Sequence, residues 1–504
     1  MSYSPKLESA FNRTKLRDPA HPSLSGMCSM CTEDCVGSCE IGLSAVRGKD
    51  AVYPTTTGAN QVASEKNYPI DFAHFNINGR VFGAIGTDPK TAAIHDVDLS
   101  TTIGTLHPVK LQLPILLPAL AKLNWRDYFG GAAMAGVLAV IGEGAYLKDP
   151  TLKLENGKIV HCPMLKEFLD AFRKYDRGYG QIILQVNRDD DAVGVPEYAI
   201  RECGAKAIEF KFGQSAKGVQ PVRHIKSLEE ALKQKAQGVV VWPDPEDPVV
   251  QEKYKAGRGM NFRNYDSLPM WDETNLPARI EELRAMGVEN VYFKMSCYDP
   301  VDLERVLRMA SASKVDLVTF DCAGGGTGYS PCKMMNEWGL PAVAVEQSLV
   351  EICRRMEQEG LPIPHIAMAG GFSMEDTVYK ALALGAPYVK LVGLCRASMA
   401  AAMSGKKVGE MLAAGKLPPE LRRFGETKDE LFPELRELRE LYGDEANEFS
   451  TGAIGVYSFL NRVGFGLQHF AALNRKFALK YIDQSDLVPL TRDAKDLLDG
   501  KWMK

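Results

Sequence analysis

Three times between residues 315 and 397, a short apolar run passes into a glycine-bearing loop and then into a helix-like stretch. The apolar runs are 315–320, 366–369 and 388–392. The first loop reads Asp321-Cys322-Ala323-Gly324-Gly325-Gly326-Thr327-Gly328-Tyr329-Ser330-Pro331, the second Gly370-Gly371-Phe372 and the third Gly393-Leu394. Helices are predicted to follow over 332–338, 374–384 and 397–403. This rhythm is that of the closing half of a parallel (β/α)8 TIM barrel, whose phosphate sites commonly sit in the loops after strands 7 and 8. Backbone N–H groups exposed by glycine and backed by a helix N-terminus hold a phosphate dianion well. Tight turns of an ordinary α/β domain would account for one such loop. Three in barrel register favour a phosphorylated cofactor.

The alternation extends upstream, with strands predicted over 181–186, 207–211 and 290–295 and helices over 164–175, 195–203, 278–286 and 300–312. We therefore expect a barrel over 106–410, an N-terminal arm over 1–105 and a C-terminal helical extension over 411–504. A length of 504 residues suits one large domain with additions, and 45% hydrophobic residues suffice for a large core. A strand-like piece is expected at 81–85. The Pro-, charge- and aromatic-rich stretch 242–275 reads as a lid or interface loop. Charged helices over 420–442 read as solvated or subunit-facing, and 449–482 is amphipathic. The net charge of −4 gives no footprint for nucleic acid. No apolar run reaches the roughly 18 residues that span a bilayer. Residues 1–25 are charged and lack a secretory apolar segment, so a cytoplasmic location is expected.

In a reducing compartment, clustered cysteines more often mark a metal than disulfides. Of eleven cysteines, Cys28, Cys31, Cys35 and Cys39 form a C-x2-C-x3-C-x3-C run with Gly26, Gly37 and Gly42 close by. Four soft thiolates in so short a loop favour an iron–sulfur cluster or zinc. Zinc sites usually join two separated C-x2-C knuckles. A [4Fe–4S] cluster is therefore the leading reading, with zinc and unligated thiols as alternatives. The scattered Cys162, Cys203, Cys297, Cys322, Cys332, Cys353 and Cys395 read as small buried hydrophobes.

Several blocks, taken in order, resemble the FMN-binding synthase domain of the glutamate synthase family. Gly142-Glu143-Gly144 is similar to its GEGG element, and 208–217, with Glu209, Lys211, Gln214 and Lys217, to its E-x-K-x-x-Q-G-A-K stretch. Tyr292-Phe293-Lys294-Met295 is similar to its V-K-L strand, and 325–331 follows its G-G-T-G-A-S-P loop. Ala369-Gly370-Gly371 stands at a second phosphate-binding glycine pair. The likeness covers roughly 110–400.

The resemblance implies FMN in the barrel mouth. Gly325, Gly326, Thr327, Gly370, Gly371, Gly393 and Leu394 would supply amides and a hydroxyl to the phosphate. Lys294 would place a cation beside the flavin N1–C2 edge. Glu143, Lys211 and Gln214 would bind the 2-oxo acid, with Lys211 on its carboxylate. An ion pair between Glu209 and Lys211, which share a strand face, is the structural alternative for these two. Asp321 and His224 read as structural. The implied activity is hydride transfer to a 2-imino acid, formed from 2-oxoglutarate and ammonia or an amine. Electrons would come from ferredoxin or another redox subunit through the [4Fe–4S] cluster, and the protein would be a homo-oligomer or part of a complex. An FMN/Fe–S oxidoreductase on another substrate and a non-catalytic electron-transfer subunit are the alternatives.

The chain also departs from the family. Residue 2 is serine, so no glutaminase nucleophile follows the first methionine. After the last barrel strand comes Cys395 alone, where the family has three cysteines, so the N-terminal run would replace that cluster. Gly218-Val219-Gln220-Pro221-Val222-Arg223 stands where the family has P-G-E-G-G.

Overall fold

The computed structural model describes residues 45, 69–213, 222–225, 227–236, 240–258, 262–265, 271–297, 299–323 and 338–501. Eight strands close into a barrel: β1 (Ile115–Leu120), β2 (Leu138–Ile141), β3 (Gln181–Val186), β4 (Ala207–Lys211), β5 (Asn290–Ser296), β6 (Leu317–Asp321), β7 (His365–Ala369) and β8 (Val389–Gly393). Helices alternate with them: α1 (Trp125–Met134), α2 (Pro163–Arg173), α3 (Val195–Cys203), α4 (Leu276–Ala285), α5 (Pro300–Ala312), α6 (Ala342–Gln358), α7 (Glu375–Leu384) and α8 (Arg396–Ala413). All eight pairings are parallel, and the ring closes where Val392 and Gly393 of β8 meet Ile115 and Leu116 of β1. The expected (β/α)8 barrel is the fold.

Parallel strands covered on both faces must be apolar on both. Here the two faces enter different cores. Ile182 and Leu184 of β3, Val291 and Phe293 of β5 and Val318 and Phe320 of β6 join the large cluster that includes the helices. The alternate residues Leu116, Leu138, Val140, Ile183, Ala207, Tyr292, Leu317, Ala367 and Leu391 form a separate interior cluster, completed by Ile103 and Leu111. Those last two come from an antiparallel hairpin, Thr101–Ile103 with Val109–Leu111. The hairpin seals the N-terminal end of the barrel. Gly104 N donates to His365 Nδ1 at 3.1 Å, and Asn290 Nδ2 donates to His107 O at 2.8 Å. The expected boundary at 105/106 therefore cuts a hairpin that belongs to the barrel, and the one at 410/411 falls inside α8.

Two further expectations need correction, and a third is met in pieces. The stretch 242–275 is not simply a loop. Together with the residues just before it, it forms a three-stranded antiparallel sheet, in which Phe262–Tyr265 lies between Val222–Ile225 and Val240–Trp242, with helices Leu228–Ala236 and Pro248–Lys255. A small core of Ile225, Ala231, Val241 and Phe262 holds this unit, which is inserted between β4 and α4. Strands of three or four residues carry too little periodicity to read. At 81–85 there is no strand: Ile85 makes one isolated bridge to Lys476, and Phe82 is 89% exposed. The charged helices expected over 420–442 are three short ones, Pro419–Arg422, Lys428–Leu431 and Leu435–Tyr442. Gly425, at φ 136°, and Pro433 fall in the breaks.

The helix α9 (Thr451–Leu473) packs on α8 and α1. The approach to α8 is close: a Cβ on Gly405 would run into the Thr451 carbonyl oxygen and lie 3.2 Å from the Gly452 and Gly455 Cα atoms. Among the described residues, no helix is long and apolar enough to cross a membrane.

Candidate functional site

Side chains on a strand alternate faces, so the inward positions above the interior cluster follow by counting in twos. They are Pro118 on β1, Gly142 just after β2, Gln185 on β3, Glu209 on β4, Lys294 on β5, Thr319 on β6, Ala369 on β7 and Gly393 on β8. The ring is divided. Four adjacent strands, β3 to β6, carry polar or charged groups, and the other four carry nothing larger than proline. A Cβ on Gly393 would lie 2.9 Å from both Ala369 Cβ and Pro118 Cγ, so only glycine fits there.

The polar half is buried and internally paired. Gln185 Nε2 donates to Glu209, and Lys294 Nζ lies 3.2 Å from Asp321 Oδ2. The Lys294 and Asp321 side chains are only 5% and 6% exposed. Burial raises the Glu209 pKa despite Lys294 and the Gln185 hydrogen bond. For Lys294, burial alone would favour the neutral amine. Asp321 first and Glu209 second outweigh it and hold the pKa above its ordinary value. Gln185 Oε1, Ser296 Oγ and Thr319 Oγ1 are buried without a hydrogen-bond partner among the described residues. Such orphaned acceptors and hydroxyls suit a flat polar group laid over the small half of the ring, with its polar edge toward β3–β6.

Nearer the rim, Lys211 at the end of β4 pairs with Glu143 in the loop after β2. The structure thus joins two of the residues selected from the sequence, and Lys211 pairs with Glu143 where Glu209 was the alternative. Gly144, at φ 68°, turns that loop, and its amide donates to Asp190 Oδ1 and Oδ2 at 3.1 and 3.2 Å. The Asn187 amide donates to the same carboxylate at 3.0 Å, so Asp190 ties the loops after β2 and β3 together. Burial pushes the Asp190 pKa up to about 7; the Asn187 and Gly144 amides and Lys211 oppose the shift, and Glu143 adds to it.

Of the residues assigned to phosphate, Gly370 and Gly371 have φ 100° and 90°, in the region that favours glycine. A Cβ on Gly370 would strike the Cys322 carbonyl oxygen, and Cys322 N donates to Ala369 O at 2.8 Å, so the exits of β6 and β7 are pressed together. Leu394 is corrected. Its amide donates to Leu116 O at 2.9 Å and its side chain is buried, so it closes the barrel and does not face a phosphate. Gly325, Gly326, Thr327, Gln214 and the four cysteines Cys28, Cys31, Cys35 and Cys39 lie outside the described residues, as do Cys332 and Lys217. Among the described residues, no group of three or more His, Cys, Asp or Glu could hold a metal ion. Cys162, Cys203, Cys297, Cys322 and Cys353 are buried as expected, and Cys395 is half-buried.

Sequence reasoning passed over three residues. Asp321 reads as structural in the sequence, yet it lies two positions beyond Thr319, on the inward register. Gln185 shares that register on β3. Asp190 sits in an Asp-Asp-Asp run whose members look alike until the fold buries one.

Fold and mouth together define a parallel β/α barrel with a charged, glycine-lined site at the C-terminal ends of its strands, where barrel enzymes place their chemistry. Residues 266–404, covering the second half of the barrel, match the family model described as a conserved region in glutamate synthase. No curated protein matches the chain. Among solved structures, a doubly substituted flavocytochrome b2 with sulfite bound is 15% identical, with a TM-score of 0.46, over 85% of this chain and 78% of that one. The flavin-binding domain of baker's yeast flavocytochrome b2 is 15% identical, with a TM-score of 0.45, over 83% and 78%. A lactate oxidase of Pediococcus acidilactici is 14% identical, with a TM-score of 0.45, over 83% and 84%. Likenesses of this degree carry nothing about chemistry.

Proposed function

We propose that the chain is a glutamate synthase-like, FMN-dependent oxidoreductase acting at the nitrogen-bearing carbon of an α-amino or 2-imino acid. The reaction we favour takes 2-oxoglutarate with ammonia or an amine to glutamate or a related amino acid. Electrons would arrive from ferredoxin or a partner subunit through a [4Fe–4S] cluster on Cys28, Cys31, Cys35 and Cys39. The family match over 266–404 supports the synthase-like reading. The divided ring supports a flat cofactor with one polar edge.

When bound, FMN supplies a two-electron hydride donor or acceptor. The chain's own residues would do the rest. Gly325, Gly326, Thr327, Gly370 and Gly371 would hold the phosphate, and Lys294 would face the polar edge of the ring.

The observation that carries the substrate class is the Lys211–Glu143 ion pair at the rim, with side chains 6% and 15% exposed. Opening a largely buried pair takes from each charge its contact partner, a loss that an incoming molecule makes good when it brings both counter-charges. A zwitterionic amino acid does so: its carboxylate replaces Glu143 on Lys211, and its ammonium replaces Lys211 on Glu143. An imino acid fits the same way, with Glu143 accepting from the protonated imine. Holding the reacting carbon at two points confers the orientation on which such transfers depend.

The test is anaerobic. The photoreduced protein is mixed with 2-oxoglutarate and ammonia, and the flavin absorbance is followed. Reoxidation with formation of glutamate is expected. A flavin that stays reduced with every 2-oxo acid and amine offered would overturn the assignment, in favour of a non-catalytic electron-transfer subunit.

A further inference from the structure

The Lys294–Asp321 pair has a consequence for the electron affinity of the cofactor. It rests on the flavin reading above. Lys294 is on the inward register of β5, with its ammonium buried in the polar half of the ring. Asp321 is the last residue of β6, where it pairs in register with Ser296, while Lys294 pairs with Thr319. The carboxylate thus reaches Lys294 diagonally from one step nearer the rim, at 3.2 Å. Both side chains are nearly inaccessible, so water screens neither charge effectively.

A fixed cation beside a redox ring favours the state that carries more negative charge. Lys294 alone would thereby make the reduced flavin easier to form. A carboxylate in contact with that ammonium turns an isolated charge into a short dipole, whose field falls off faster with distance. Other charged or titratable groups also act on Lys294: Glu209 on β4, Cys395 after β8 and Glu143 after β2. Of these, Glu209 is partnered by Gln185, and burial disfavours its charge. Asp321 is therefore the principal counter-charge.

We propose that Asp321 is a positioning and tuning residue that offsets the charge of Lys294, and so holds the bound flavin at a lower midpoint potential than Lys294 alone would set. The same contact fixes Lys294 in place, and Glu209 is a second group that favours the charged ammonium, so the cation persists while its reach is shortened. A low potential would suit a centre that must pass hydride on to an imino acid.

The test is the midpoint potential of flavin bound to the full-length protein, measured by anaerobic spectroelectrochemistry at neutral pH. Asp321→Asn keeps the shape and removes the charge. It is expected to raise the ratio of reduced to oxidised flavin at fixed potential by about tenfold or more, about 30 mV for a two-electron couple. Asp321→Glu keeps the charge and should stay near the wild-type value. Lys294→Gln should move the potential the opposite way. Should Asp321→Asn not fold, Asp321→Ser carries the same expectation. An unchanged or lowered potential in a flavin-bearing, charge-free variant at position 321 overturns the inference. A wild-type protein that binds no flavin is a different failure, and that one sinks the cofactor reading itself.

Discussion

The two ends of the barrel interior are built from the same eight strands and hold opposite contents. At the N-terminal end, inward positions carry Leu116, Leu138, Ile183, Tyr292, Leu317 and Leu391, capped by Ile103 and Leu111 from the hairpin. One inward step higher, the ring turns to Gln185, Glu209, Lys294 and Thr319 facing Ala369, Gly393, Pro118 and Gly142. The lower end is a packed hydrophobic plug that keeps the barrel closed. The upper end gathers buried charges and small residues, an arrangement that costs stability and is useful only when something else fills the space. One element thus serves stability at one end and chemistry at the other, two strand residues apart.

The comparison predicts that substitutions above should remove cofactor or turnover, and those below should remove stability. The largest effect is expected from Gly393→Leu, which places a side chain where even a Cβ lies 2.9 Å from Ala369 and Pro118. Flavin content measured after gel filtration should fall to near zero. Full occupancy in that variant would break the assignment of the small half of the ring to the cofactor.

Next comes Lys211→Ala. It should retain FMN and lose turnover by about two to three orders of magnitude, as when a positioned charge stabiliser is removed. Normal turnover in a steady-state assay would remove Lys211 from the site. Below the ring, Leu317→Ala should cost about 2–5 kcal/mol, read from the denaturant midpoint, while the folded fraction still binds flavin.

Asp190→Asn sharpens the comparison through pH. Burial raises the folded-state pKa of Asp190 to about 7. An unfolded aspartate titrates near about 4. Between these values the folded protein holds more protons, so the wild type loses stability as pH rises across the window and the loss is complete above it. The asparagine variant lacks that term. Its stability relative to wild type should climb with pH across the window in urea titrations, and a flat difference would contradict the assignment. The smallest effect belongs outside both ends. Arg436→Ala, at an exposed i,i+4 pair whose side chains are 88% and 70% exposed, should change stability by no more than about 0.5 kcal/mol.

Much of the lower end was legible in the sequence. Apolar runs spaced by helices announce a parallel barrel, and the strands predicted at 181–186 and 207–211 coincide with β3 and β4. The glycines at 370 and 371 were legible too, because positive φ needs glycine and little else satisfies it. The upper end was legible in part. Lys294 stands out as a charge in an otherwise apolar strand, and Lys211 and Glu143 through the likeness of their blocks to the glutamate synthase family. That Lys211 pairs with Glu143 and not Glu209 depends on a loop 68 residues away in sequence, which no local period encodes. Leu394 was misread because a free amide next to glycine looks the same whether a phosphate or the first strand takes it. The unit inserted after β4 was missed because its strands are too short to show alternation.

Whether the mouth holds FMN is answered by an anaerobic absorption spectrum of the purified full-length protein, with FMN quantified on the same sample. One FMN per chain, bleaching on reduction, is the predicted result. A protein that stays colourless and binds no FMN after incubation with excess cofactor, while folded by circular dichroism, would show that the barrel mouth is not a flavin site.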